Sequence, residues 1–159
     1  MIFNELAKKL FDCTAIDDIS PDNEYIVWQK TDLYGRDYYG VGNFWGIVRK
    51  DEDIEENCDL SWLEWDGNEV NIDNEICDDI SSLFIKTVGI IKSWELQLKE
   101  LCPEGQFAIL ASYDDGSDLI EESDTCFGFT LRFWKIREGQ GPDIRIEEQN
   151  QPMIMLVTK

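Results

Sequence analysis

"EICDDISSLFIKTVGIIKSWELQLKEL" (residues 75–101) is the stretch that sets the architecture of this chain. Its apolar residues recur every three or four positions, the spacing that places side chains on one side of an α-helix. Pro103 cannot continue a helix, so we predict one long helix over about 75–101 that buries a single face. The buried stripe should consist of Ile80, Phe84, Val88, Ile91, Trp94, Leu98 and Leu101.

Two details of this helix lead to further expectations. Gly89 lies in the helix interior, where glycine costs about 1 kcal/mol relative to alanine, so we expect another segment to cross closely there. Glu75, Asp78 and Asp79 would lie in the first turns, where a negative side chain interacts favourably with the helix dipole by about 0.3 to 1 kcal/mol. These three acids are therefore assigned to the start of the helix.

The residues before the helix predict one short helix and two strands. "IFNELAKKLF" (2–11) has its apolar residues at helical spacing, with charged residues on the other side. "EYIVWQ" (24–29) and "YYGVGNFWGIVRK" (38–50) are rich in β-branched and aromatic residues, and turn-forming sequences separate them. The glycines of the second strand indicate a bulge, a bend or a close approach of the backbone.

The residues after the helix predict more strands. "QFAILASY" (106–113) and "TCFGFTLRFWKIR" (125–137) have long strand patterns, and "DIRIEE" (143–148) is compatible with a short edge strand. "MIMLV" (153–157) is unbroken and apolar, which is typical of a strand that is covered on both faces or lies centrally in a sheet. We predict a single α+β domain over 1–159, with a mainly antiparallel sheet of five to seven strands packed on the long helix and a short N-terminal helix.

A β-hairpin is expected near residues 60–72. "LSWLEW" (60–65) and "EVNI" (69–72) flank Asp-Gly-Asn, a sequence that favours tight hairpin turns. On a strand, Trp62 and Trp65 would face opposite sides of the sheet, so at most one of them would be in the core unless a bulge intervenes.

Acidic residues are concentrated in two segments. The chain has 34 acids and 14 bases, a formal net charge of −20. Residues 51–79 hold thirteen of the acids and residues 114–124 hold six, and neither segment contains Lys or Arg. The remaining residues hold 15 acids and 14 bases, so the protein is a near-neutral domain with two acidic segments.

Several classes of chemistry are excluded or unsupported. The chain has no histidine, which removes histidine-based catalytic pairs and HExxH zinc sites. It has no Gly-rich nucleotide-binding motif, and neither acidic segment matches an EF-hand loop. Five widely spaced cysteines without a CxxC pair indicate reduced thiols in a cytoplasmic protein. We see no signal peptide or membrane span, and we expect no enzyme activity, cofactor or designed metal site.

The acidic segments predict a binding surface for a basic protein. Clustered acids accelerate encounter with a cationic partner, and exposed tryptophans can anchor it. Direct binding of nucleic acid is disfavoured, because phosphates require a basic surface. The candidate residues are Asp51, Glu52, Asp53, Glu55, Glu56, Asp59, Trp62, Glu64, Trp65, Asp66 and Glu69 in the first segment, and Asp114, Asp115, Asp118, Glu121, Glu122 and Asp124 in the second.

A small histidine-free α+β chain with "DEDIEENCDLSWLEWDGNE" (51–69) and "DDGSDLIEESD" (114–124) resembles, in general type, the acidic immunity proteins of bacterial toxin systems. The resemblance implies a stoichiometric inhibitor that neutralises a basic toxin, such as a nuclease, by covering its active site. Two alternatives stay open. The chain could be a non-inhibitory cytoplasmic adaptor or regulatory domain that binds a basic protein, or a hydrolase that uses two carboxylates.

Overall fold

The computed structural model describes residues 1–42, 54–77, 79–116 and 127–159, and these form an α+β fold as predicted. The described α-helices are α1 (Glu5–Leu10), α2 (Leu60–Gly67) and α3 (Ile80–Leu101). The described strands are β1 (Ile2–Phe3), β2 (Val27–Thr31), β3 (Asp37–Val41), β4 (Val70–Asp73), β5 (Phe107–Asp114), β6 (Gly128–Lys135) and β7 (Met153–Val157). Within these residues, no helix has both the length and the apolar composition needed to cross a bilayer.

The strands form two antiparallel sheets. The larger sheet has five strands in the order β1-β7-β5-β6-β4, and β2 pairs with β3 in a separate hairpin. The expected sheet of five to seven strands is confirmed. β7 lies between β1 and β5, which also confirms the interior position predicted for "MIMLV". Of the predicted strand over 38–50, β3 covers the first part, and residues 43–50 lie outside the described residues.

The long helix α3 covers one face of the larger sheet, and the main core lies between them. Trp94 is completely buried, and its ring meets that of Phe133 with centroids 5.2 Å apart. Most of the predicted stripe is buried as expected: Phe84, Val88, Ile91, Trp94 and Leu98. The ends of the stripe differ, because Ile80 is only half-buried and Leu101 is exposed.

The helix starts later than the sequence predicted, at Ile80 instead of about residue 75. The Asp79 side chain accepts hydrogen bonds from the backbone N–H groups of Ser81 and Ser82, both at 2.9 Å, so Asp79 is the N-cap. Glu75 lies in a preceding turn, where its N–H bonds to the Asp73 carboxylate. Its assignment to the first helical turns was therefore wrong, and Asp78 lies outside the described residues.

The hairpin predicted near residues 60–72 was also wrong. Residues Leu60–Gly67 form helix α2, and Val70–Asp73 form β4, which pairs with β6. Leu60, Leu63, Glu64 and Gly67 are buried at helical spacing. Because Glu64 is one of these buried residues, the helical spacing is not visible as a pattern of hydrophobic residues. Asn68 ends the helix as its C-cap, so Asp-Gly-Asn stops a helix here and does not form a tight hairpin turn.

The expected edge strand over 143–148 is likewise absent from the described residues. Ile146–Glu148 form a 3-10 helix instead. Ile146 is buried against the sheet face opposite α3, beside Ala108, Leu110, Trp134 and Met153. This segment is therefore held on the sheet by the packing of the Ile146 side chain and not by pairing with an edge strand.

Gly89 allows the close crossing that was expected from the sequence. The segment with Ser20 and Asp22 passes over α3 at this point, and the Asp22 N–H donates to the Gly89 carbonyl at 2.9 Å. A Cβ atom on Gly89 would lie 3.1 Å from both the Asp22 Cβ and the Ser20 carbonyl oxygen. The absence of a side chain therefore lets this segment lie directly on the helix.

Replacing Gly89 with valine should destabilise the protein by about 1 to 3 kcal/mol, because the branched side chain must displace the crossing segment. Glu100→Val is the matched control, since Glu100 is exposed on the same helix. Its cost should be limited to helix propensity, about 0.5 kcal/mol. Urea unfolding measures both changes, and an equal loss in the two variants would contradict the close crossing.

Candidate functional site

Helix α2 begins at an aspartate that belongs to the predicted surface. The Asp59 side chain accepts a hydrogen bond from the Trp62 N–H at 2.9 Å and caps the helix. It also accepts from the Gly141 N–H at 2.9 Å, which fixes the loop after β6 against the helix start. Both carboxylate oxygens of Asp59 thus stabilise the fold, and the side chain is only partly exposed.

Glu64 lies inside the protein and not on its surface. Its side chain is completely buried and forms a two-pronged ion pair with Arg137, with contacts of 2.7 and 2.9 Å. The same carboxylate accepts the backbone N–H groups of Tyr39 in β3 and Lys135 in β6. Burial raises the pKa of the Glu64 carboxyl, and Arg137 and these N–H groups oppose that rise. Glu64 therefore joins α2 to both sheets.

Asn68 makes a second connection of the same kind, which sequence reasoning missed. Its side chain accepts from the Val41 N–H at 3.1 Å and donates to the carbonyls of Tyr39 and Phe133. All three contacts are buried. Together with Glu64, Asn68 fixes the rotation of α2, and this decides which of its side chains face outward.

The two tryptophans of α2 have different environments. Trp62 is 49% exposed. Trp65 is half-buried, with its ring 5.0 Å from that of Trp134 in an edge-on contact. The Arg132 guanidinium lies 4.9 Å from the Trp65 ring, a cation–π arrangement. Trp62 is therefore the residue of the pair that is available to a partner.

The other acids of this part of the chain are on the surface. Asp66 is exposed, and Glu69 is exposed but forms an ion pair with Arg132. Glu55 and Glu56 are exposed, and neither carboxylate forms a hydrogen bond or ion pair with a described residue. Asp51, Glu52 and Asp53 lie outside the described residues.

The turn between β2 and β3 positions the segment that carries Glu55 and Glu56. Asp32 accepts hydrogen bonds from the N–H groups of Tyr34 and Arg36 and pairs with the Arg36 guanidinium at 2.8 Å. That guanidinium then donates to the backbone carbonyls of Glu55, at 2.8 Å, and of Glu56. Because Arg36 binds the backbone, the two glutamate side chains remain directed to solvent.

The same turn places apolar side chains beside these acids. Leu33 is 69% exposed and Tyr34 is 50% exposed, and the Arg36 guanidinium carbon lies 5.3 Å from the Tyr34 ring centre. Arg36 also approaches the Cys58 carbonyl, next to the capping Asp59. Arg36 thus links the turn, the acids and the residues that lead into α2, and we call the exposed side chains of these three parts the acidic–aromatic face. It consists of Leu33, Tyr34, Glu55, Glu56 and Trp62.

The second acidic segment lies elsewhere. Asp114 is the last residue of β5 and pairs with Gly128 at the start of β6, whereas α2 contacts β6 near Lys135 at its other end. Seven residues of strand separate the two ends, about 23 Å. Asp114 and Asp115 are exposed there, and Asp118, Glu121, Glu122 and Asp124 lie outside the described residues. Asp114 and Asp115 therefore do not share a surface with the acids around the start of α2, whereas Asp73 of the first segment pairs with the same Gly128 and lies at their end of the sheet.

Sequence reasoning missed Leu33, Tyr34 and the Asp32–Arg36 pair. "TDLYGRD" (31–37) has the composition of an ordinary turn, and its link to residues 55–58 is a tertiary contact. The signal available in the sequence was the presence of a leucine and a tyrosine inside a turn, where large apolar side chains are expected to be exposed. In the described ranges, no group of three or more acidic or cysteine side chains is placed to hold a metal ion. Cys13, Cys58, Cys77 and Cys102 are free thiols.

Glu64→Ala should lower the free energy of unfolding by about 3 to 5 kcal/mol, because it leaves the Arg137 guanidinium without its buried partner. Asp66→Ala is the control, since Asp66 is exposed on the same helix and should change stability by less than about 0.5 kcal/mol. Urea denaturation measures both. A loss for Glu64→Ala similar to that of the control would show that the pair does not hold α2 in place.

Asp32→Asn should lower the free energy of unfolding at neutral pH, and it should lower it less at acidic pH. Burial alone would raise the pKa of Asp32, but hydrogen bonds from Arg36 and Tyr34 outweigh it and hold the pKa below the usual 3.8. The carboxylate therefore stabilises the fold above that pH, and the contribution is lost as the pH falls through the folded-state pKa. The difference in unfolding free energy from the unmodified protein should be constant near neutral pH and should shrink as the pH falls below 3.8. A constant difference would contradict this role.

Comparisons of the chain with protein-family models, curated proteins and solved structures found no match. The case for function therefore depends on the geometry of the acidic–aromatic face.

Proposed function

We propose that this protein is a stoichiometric inhibitor of the immunity-protein type, which covers the active site of a basic toxin, such as a nuclease, with its acidic–aromatic face. One observation carries the proposal. Tyr34 is exposed in the turn whose Arg36 binds the backbone of Glu55 and Glu56, and Trp62 is exposed in the first turn of the helix that follows. The carboxylates of Glu55 and Glu56 have no partner among the described residues.

The two kinds of side chain would contribute differently to binding. Unpaired acids attract a cationic protein and accelerate encounter by about 10- to 1000-fold. Charge alone gives little affinity, whereas tryptophan and tyrosine are the residues that most often dominate an interface. A surface with both can bind a basic active site quickly and release it slowly. Carboxylates can also occupy the positions that substrate phosphates take in a nuclease.

The acidic–aromatic face is held in place by polar contacts that range from exposed, at Arg36 and Asp59, to partly buried, at Glu64. Arg36 holds the backbone at Glu55 and Glu56, Asp59 caps α2, and Glu64 fixes the helix against the sheets. A surface that is already ordered loses less conformational entropy on binding. This support gives Asp59 and Glu64 a positioning role in place of the direct contact expected from the sequence.

Asp114 and Asp115 contribute little to this face. Their separation from the start of α2 is about 23 Å along β6, more than twice the screening length of about 8 Å at physiological salt. Asp51, Glu52 and Asp53 directly precede Ile54 in the sequence, and they remain predicted contributors to the binding surface.

The direct test uses a basic nuclease encoded beside this chain in its own genome. An inhibitor should abolish the nuclease activity at one-to-one stoichiometry, and size-exclusion chromatography should show the complex. Binding without inhibition would favour the adaptor alternative. Absence of binding to any neighbouring basic gene product would contradict the proposal.

Two variants separate steering from anchoring. Glu55→Lys with Glu56→Lys should slow association by at least about tenfold at low salt and weaken its salt dependence, with the fold intact. Trp62→Ala should instead speed dissociation by about 30-fold, the equivalent of about 2 kcal/mol. Surface plasmon resonance measures both rates.

The controls change the same charge and similar apolar area at other exposed positions. Glu75→Lys with Glu100→Lys matches the charge reversal, and Leu96→Ala matches the loss of an exposed apolar side chain. If the controls change the rates as much as the test variants do, the partner does not bind the acidic–aromatic face.

A further inference from the structure

An apolar groove lies at the other end of the sheet, between α3 and the segment after α1. Its volume is about 570 Å³, within the range of clefts that bind ligands. The floor is the stacked pair of Phe11 and Phe84, whose ring centroids are 4.7 Å apart. Ile19 and Ile80 line the groove at partial exposure, and Ile85 is 52% exposed.

The groove is preformed, because its outer wall is fastened to α3. The Lys92 ammonium donates to the carbonyls of Ile16, Asp17 and Ile19, the last at 2.7 Å. The Asp22 N–H bonds to the Gly89 carbonyl, and the missing side chain at Gly89 lets the wall lie on the helix. The groove is therefore present without any rearrangement of the backbone.

The groove continues into an acidic depression. Leu10 is 45% exposed and lines both, and Phe11 meets Tyr113 of the depression with ring centroids 5.5 Å apart. The depression contains the exposed carboxylates of Asp114, Asp115 and Glu148, and the last of these is paired with Arg145 at 3.3 Å. Burial, with help from Asp115 and Asp114, raises the pKa of Tyr113, as expected in a negative environment.

The groove itself is also negative at its rim. Asp12, Asp18 and Asp22 line it. Lys86 is the one base among the described lining residues, and it is already paired with Glu24 and Asp22. Lys86 and Asp22 therefore compensate each other in charge, and Asp12 and Asp18 leave the rim of this apolar surface negative.

We propose that this groove and the adjoining depression bind a basic amphipathic helix from a protein partner, with its apolar side chains in the groove and its Lys or Arg side chains at Asp114 and Asp115. The charge of the surface selects a cationic occupant. The length selects a protein segment, because the groove follows α3 from Ile80 to Gly89, about 14 Å, and the depression adjoins it at Leu10. Laying an apolar helix stripe into a groove is an established mode of peptide recognition.

This site is separate from the acidic–aromatic face, so it can be tested without the toxin. The probe is a labelled helical peptide of about 14 residues, with leucine at i, i+3, i+4 and i+7 and lysine elsewhere. Two matched peptides replace lysine by glutamate or leucine by serine. Fluorescence anisotropy with the full chain should show saturable binding of the first peptide and at least about tenfold weaker binding of the other two.

Variants of the protein locate the binding site. Leu10→Ser with Ile85→Ser should weaken binding at least about tenfold, and Asp114→Asn with Asp115→Asn should weaken it and reduce its salt dependence. Leu96→Ser is the control for the first pair, because Leu96 is 57% exposed on α3 and does not line the groove. Circular dichroism checks that each variant is folded.

Three results would overturn the proposal. Equal affinity for the leucine-free peptide would mean that only charge is recognised, and an unchanged affinity of Leu10→Ser with Ile85→Ser would place the peptide elsewhere. Sedimentation that shows a dimer, dissociated by the same pair of changes, would mean that a second copy of the chain occupies the groove.

Discussion

The buried ion pair between Glu64 and Arg137 is the contact on which the candidate site depends. Four donors converge on one carboxylate, and they come from the main chain of β3 and β6 and from the arginine that follows β6. A buried charge without such partners would be strongly destabilising. The helix can therefore take one rotation only, and that rotation places Trp62 outside and Trp65 against the sheet.

Two groups among the described acids differ in what their carboxylates contact. Asp32, Asp59 and Asp79 accept backbone N–H groups in turns or at helix starts, so their charge is used locally. Glu55 and Glu56 are held by their backbone carbonyls, so their charge stays available. A count of acidic residues cannot separate these groups, because the difference lies in the donor that each oxygen meets.

The two ends of the five-stranded sheet present different surfaces. At the end near α2, acids lie beside an exposed tryptophan and tyrosine. At the other end, acids border an apolar groove with Phe11 and Phe84 as its floor. Both surfaces combine charge for attraction with apolar area for affinity, and the distance between them exceeds the screening length at physiological salt. We therefore treat them as independent binding sites.

The sequence by itself determined the α+β class, the long helix with its buried stripe, the interior strand 153–157 and the crossing at Gly89, because periodicity and glycine position are local properties. Tertiary contacts decided that residues 60–67 form a helix and not a strand. Their buried stripe includes Glu64, which the sequence alone predicts to be a surface acid. Its burial depends on pairing with Arg137, which lies 73 residues later in the chain. The link from Arg36 to Glu55 was equally invisible, since no local pattern records which backbone carbonyls a distant guanidinium will reach.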